Sequence, residues 1–201
     1  MNYIKNAFKK DTILLVYKCG SHAFGTSSEN SDEDFVVVLK NFNGLTHYEA
    51  GRKEYFIFGL DTWKEKQEFS DDYDDYFEIL ALPETIVYQY ESIKELIEKY
   101  KIDFKVNYKT WLKKVVRYFE DYIKLNTINK QMYHVIRIKH IVENYKKHGS
   151  FSLDLSKEVL DWIKKFKASE SRKQYKNEII EALIYLKNEG GNLEWTEQTL
   201  H

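Results

Sequence analysis

The chain has 201 residues, 43% of them hydrophobic, and a formal net charge of −1, enough material for one sizeable core or two small ones. Its single cysteine, Cys19, excludes a disulfide framework and a cysteine-rich zinc site. No segment approaches membrane-spanning length, and Met1 to Lys10 contains no apolar signal core, so the expected compartment is the cytoplasm.

In chain order, Thr12 to Lys18 is a short β-branched and aromatic run that predicts a buried strand ending at Cys19. A short helix fits before it. Gly20 then lets the backbone turn tightly and approach a ligand, because it has no Cβ. Ser21 adds a hydroxyl and an N–H where phosphate oxygens can sit. His22, inside this turn, either contacts a nucleotide or caps the turn, and Gly25 allows a second sharp bend. A second strand over 32–39 begins with Asp32 and Asp34. Period-two geometry puts both on one face and Glu33 on the other. Two hard oxygen ligands one pleat apart suit Mg²⁺, which keeps other positions for water and phosphate. Asp at a strand start is more often a turn or cap residue. The whole succession is more specific: strand, Gly-Ser, ten residues, Asp-x-Asp, apolar strand.

Asn41 to Arg52 is a Gly- and Asn-containing connection, a hairpin loop or an insertion. Lys53 to Asp61 is the next strand-like run. From Thr62 onward helical patterns dominate. The acidic stretch Glu68 to Asp75 is a solvated loop or helix start that leads into apolar Tyr76 to Leu82, closed by Pro83. Amphipathic spacing predicts helices over 92–100, 107–125, 128–148, 156–167 and 171–187, with Gly149 and Gly190-Gly191 as stops. This is an α+β pattern: a small mixed β-sheet with flanking helices, followed by a C-terminal helical bundle. Two domains are expected, 1–100 catalytic and 101–201 helical, packed together.

Charge is unevenly spread. Residues 1–100 hold 11 Lys/Arg against 19 Asp/Glu, a net of −8, whereas residues 101–150 hold 12 against 4, a net of +8. Such a division suits a cleft with metal on one wall and phosphates on the other; the plainer reading is a lysine-rich solvated surface. Within 128–148, Ile128, Met132, Val135, Ile138, Val142 and Tyr145 form one core face. Lys130, His134 and Arg137 recur at helical spacing on another face, as a phosphate-binding column or a solvated basic one. His134 is its switchable member, since its charge could follow phosphate occupancy. His47, His140, His148 and His201 form no zinc-like spacing, so no structural zinc is expected. Most of the 16 Tyr, 12 Phe and 4 Trp must be core; Phe24, in the turn, is the first candidate to stack on a base.

With Gly20, Ser21, Asp32 and Asp34 in these positions, the chain resembles the nucleotidyltransferase superfamily of DNA polymerase β type. Gly-Ser-His-Ala-Phe-Gly and the Ser-Asp before the second Asp resemble, within it, predicted bacterial and phage nucleotidyltransferases that include the RNA-ligase-associated RNA-repair group. The resemblance implies a third metal-binding carboxylate on a later strand, for which Asp61 is the candidate; otherwise Asp61 is a helix N-cap. It further implies two Mg²⁺ or Mn²⁺ ions on Asp32, Asp34 and Asp61. A nucleoside triphosphate would be held by Gly20, Ser21, His22, Lys130, His134 and Arg137, the last three matching a Lys…His…Arg helix of the resembling group. The reaction is transfer of a nucleoside monophosphate to an acceptor hydroxyl. RNA, as a tRNA or a damaged end, is the leading acceptor. A small molecule or protein acceptor is the alternative, and a non-catalytic nucleotide- or RNA-binding module is a third. Oligomeric state is not legible in the chain.

Overall fold

A computed structural model of the protein describes residues 13–67 and 82–191. The fold is α+β. Strand β1 (Ile13–Cys19) is buried at every position except Lys18, as befits a strand with a neighbour on each side. A four-residue helix, α1 (Gly20–Ala23), follows directly, and then β2 (Glu33–Leu39), β3 (Leu45–Ala50) and β4 (Lys53–Gly59). Helix α2 (Leu60–Gln67) leaves the end of β4, and β5 (Ile86–Gln89) completes a five-stranded sheet in the order β3-β4-β2-β1-β5. β2 and β4 run parallel while the other pairs are antiparallel, so the sheet is mixed.

One sheet face is an apolar cluster of Ile13, Val16, Phe35, Val37, Leu39, Tyr55 and Ile57. Its charged rim is Glu33, which pairs with Lys53 at 3.4 Å. Trp63 of α2 is fully buried; its indole donates to the Tyr17 hydroxyl at 3.1 Å and meets Tyr100 edge-on. A buried indole without that acceptor would lose roughly 1–3 kcal/mol. Gly59 ends β4 because the chain folds back hard there: a Cβ would lie 2.0 Å from the Phe42 carbonyl oxygen.

Helix α3 (Lys94–Lys124) is followed by α4 (Tyr133–His148), α5 (Lys157–Ala168) and α6 (Lys176–Gly190). Among the described residues the chain divides into two compact units, 13–67 with 82–104, and 105–191. In the second unit Met132, Val135, Ile138 and Val142 are buried as their spacing predicts, joined by Ile141. Gly149 and Gly191 end α4 and α6 in the left-handed conformation, with φ of 72° and 79°. Ser156 caps α5 by accepting from the Val159 amide. Among the described residues no helix is long and apolar enough to cross a membrane.

Three sequence expectations need correction. Residues 41–52 contain a strand, β3, which is exposed along nearly its whole length; an edge strand with no buried face carries no alternation to read. β5 interrupts the stretch expected to be helical, at only four residues. The helices expected over 92–100 and 107–125 are one helix of 31 residues. Ile102 and Val106, 61% and 75% exposed, break the apolar period across its middle. The acidic run 68–75, the apolar 76–81 and any helix before β1 lie outside the described residues.

Candidate functional site

The Gly20–Gly25 turn and the start of β2 meet at one end of the interior strands β1 and β2. Cys19, the last residue of β1, is the register partner of Asp34, so the chain must turn directly beside that carboxylate. Gly20 has φ +60°, and a Cβ there would sit 1.9 Å from Asp34 Oδ2. Only glycine fits, for two independent reasons: the left-handed backbone and the carboxylate lying against it. The turn is closed by the Thr26 amide donating to the Ser21 carbonyl at 2.9 Å. No side chain caps the start of α1. Ser21 and His22 are half-buried, and His22 Nε2 lies 3.4 Å from the Ser31 carbonyl oxygen. Phe24 is buried, which corrects its expected role as a base platform.

The segment leading into Asp32 is pinned from the turn between β3 and β4. The Arg52 guanidinium donates to the carbonyls of Glu29 and Ser31, and the Glu33 amide donates to the Arg52 carbonyl at 2.8 Å. Ser28 and Ser31 bond each other within the same loop. These contacts fix where Asp32 stands relative to β2. Asp32 is exposed and Asp34 half-buried.

The parallel pairing of β2 with β4 brings in a residue that the sequence did not single out. Asp34 is the register partner of Glu54, so the two carboxylates lie side by side on one face, at the ~4.8 Å spacing of adjacent strands. Burial raises the Asp34 pKa above the ordinary aspartate value, and the neighbouring negative charges of Glu54 and then Asp32 raise it further. The imidazoles of His22 and His47 pull in the opposite direction. A group so disposed gains from a cation beside it.

Asp61, the expected third ligand, does not join this cluster. It lies just past the far end of β4, and the length of that strand, ~20 Å, separates it from Asp34. Its side chain is 87% exposed and bonds Lys64 at 3.1 Å in the first turn of α2. The side-by-side position belongs to Glu54 instead. A parallel pairing of the strand starts, with a carboxylate second in each strand, was the signal that could have found it.

The basic column is also corrected in part. Lys130 is exposed, ahead of α4. Arg137, however, is fully buried, inside the apolar side of its helix rather than on a separate solvated face. His134 is partly buried and stacks on Tyr133 at 4.1 Å, while Lys167 sits over the Tyr133 ring at 4.2 Å. Desolvation, and secondarily the Lys167 charge, lower the His134 pKa to about 4. The ring is therefore neutral at neutral pH.

No protein-family model matches the chain, and no curated protein is significantly similar to it. Among solved structures it is similar to the crystal structure of a nucleotidyltransferase-like protein from Exiguobacterium sibiricum 255-15, at 11% identity and a TM-score of 0.30. That likeness covers 94% of this chain and 72% of the other.

Proposed function

We propose that the protein is a metal-dependent nucleotidyltransferase whose centre is Asp32, Asp34 and Glu54, set against the Gly20-Ser21 turn. The observation that carries this reading is Asp34 held beside Glu54 and against the Gly20 turn, with the charge of Asp32 near enough to raise the Asp34 pKa. Asp34 is beside Glu54 in register and lies so close to Gly20 that no side chain fits between them.

The residues fit divalent metal binding. Their donor atoms are hard carboxylate oxygens, as Mg²⁺ and Mn²⁺ prefer, and Asp34 holds its proton more tightly than usual because it is partly buried and then because Glu54 and Asp32 put negative charge beside it. Bound there, such ions would neutralise charge on a triphosphate and on the attacking and leaving oxygens. The remaining work falls to the chain. Gly20 and Ser21 present backbone and hydroxyl groups to the phosphates, in a turn held shut by Thr26. Arg52 fixes the loop that carries Asp32, so the carboxylates are positioned before substrate arrives. An acceptor hydroxyl attacks the α-phosphorus; its proton is lost, the bond to the β-phosphate oxygen breaks, and pyrophosphate leaves.

Of the basic column, Lys130 is the member able to meet a polyanion at the surface, and RNA is the acceptor we favour. The test is transfer from labelled nucleoside triphosphates with Mg²⁺ or Mn²⁺, offered total RNA and total protein. Wild-type label should enter RNA and Asp32→Ala should give none while keeping its circular dichroism. Label in protein alone would move the acceptor class. Equal labelling by Asp32→Ala, or none by wild type, would sink the reading.

A further inference from the structure

The face that carries Asp34 and Glu54 continues onto the edge strand. Glu49 of β3 is the register partner of Glu54, so Glu49, Glu54 and Asp34 stand in one row across three adjacent strands. Like charges set directly opposite each other destabilise a sheet. Facing the row is His47, two residues before Glu49 and therefore on the same side of β3. Its Nδ1 lies 3.8 Å from Glu49 Oε1 and its Nε2 lies 3.5 Å from Glu54 Oε2. One ligand atom from each of His47, Glu49 and Glu54 falls within 4.8 Å of the others. Phe56, the register partner of His47, stacks under the imidazole at 5.0 Å and holds its plane. The three donors thus sit on two hydrogen-bonded strands joined by a tight turn, with one ring already oriented by packing.

We propose that the β3–β4 hairpin carries a second divalent-metal site, made by His47, Glu49 and Glu54, that prefers borderline ions such as Zn²⁺ to Mg²⁺. An imidazole nitrogen with two carboxylate oxygens suits zinc, whereas magnesium takes oxygen alone. Three protein ligands leave a fourth tetrahedral position for water or a substrate oxygen. The site shares Glu54 with the transfer centre but stands without it, because His47 and Glu49 have no part in that centre. Its competitor is an ordinary ion pair, with a protonated His47 between two glutamates.

The experiment is Zn²⁺ binding to the full chain by chelator competition, in the absence of nucleotide, with His47→Ala and the double variant Asp32→Asn/Asp34→Asn. The expected result is at least a tenfold loss of Zn²⁺ affinity in His47→Ala and less than a threefold change in the double variant. A companion titration followed by NMR should shift the His47 ring signals at one equivalent of Zn²⁺. Unchanged affinity in His47→Ala would overturn the site, and so would wild-type protein that binds no Zn²⁺. Equal losses in both variants would overturn a distinct hairpin site in favour of one combined centre. Failure of nucleotide transfer with the His47-dependent Zn²⁺ affinity intact would remove only the transfer reading.

Discussion

The carboxylate site of the sheet and the basic column of α4 were both drawn from spacing, and they differ in what spacing can deliver. On the sheet, a period of two has only two outcomes, so the side that Asp34 takes in β2 is fixed, and Asp32, just ahead of the strand, stays near enough to raise its pKa. Pairing then extended that side across β4 and β3 to Glu54 and Glu49. On the helix, residues three and four apart share a face, but that face can point inward or outward. Arg137 is 0% exposed, as buried as Val135, Ile138 and Ile141 of the same helix, while Lys130 is exposed. Charge at the end of a strand keeps one side toward water and ions even where, as at Asp34, it is half-buried. Charge on a helix in a bundle can become part of the core.

The sharpest way to break that comparison is at the third carboxylate. Glu54→Gln should lower transfer on the order of 10³-fold, the scale for losing one preorganised electrostatic partner. Asp61→Asn should leave the rate within twofold, since Asp61 is 87% exposed and pairs with Lys64 near the start of its helix. Single-turnover rates with saturating triphosphate check both. The reverse ranking would return the third-ligand role to Asp61 and show that strand register misplaces the centre.

The helical half of the comparison turns on Arg137. Arg137→Ala should cost ~3 kcal/mol in urea denaturation, because it empties a fully buried position and strands whatever the guanidinium satisfies. Lys130→Ala should stay within ~0.5 kcal/mol in the same measurement. A mild Arg137→Ala with strongly weakened triphosphate binding would place Arg137 in recognition and not in packing.

Gly20 joins local conformation to the site. Gly20→Ala should destabilise the fold by ~2 kcal/mol through the left-handed backbone alone, and its methyl group must displace Asp34, 1.9 Å from where the Cβ would stand. Transfer should therefore fall more than stability explains, measured at a temperature where the variant is folded. This is also where the sequence was most legible. Gly20, Ser21, Asp32 and Asp34 lie within fifteen residues, so local turn and strand rules suffice to bring them near one another. Glu54, Glu49 and His47 are joined to that site by strand pairing, which depends on whether β2 and β4 run parallel. An exposed edge strand such as β3 leaves no hydrophobic alternation to announce it. The buried Arg137 was hidden for the opposite reason: its helix has apolar residues on more of its circumference than one stripe, including Ile141.

The smallest effect concerns pH and the other member of the column. His134 has its pKa lowered to about 4, first by burial and then by Lys167. In the unfolded chain it titrates near 6.5. A base whose folded pKa is depressed contributes stability that is complete above the unfolded value and lost as pH falls through it. Between pH 7 and 5.5 that loss is ~1 kcal/mol, continuing until the folded value is reached. His134→Gln should flatten this part of the stability profile, read as urea midpoints at pH 7.0, 6.0 and 5.5. Asp34 works in the opposite sense: its raised pKa means that protonation favours the native state, so stability from that site falls as pH rises from the unfolded aspartate value through the folded one. Mg²⁺ should therefore raise the midpoint at pH 7.0 more than at pH 5.0 in wild type, and by less in Asp34→Asn. The two regions then respond to acid with opposite signs: the carboxylate site because a charged Asp34 is partly buried and set beside like charges, the helix because a neutral ring is kept from water.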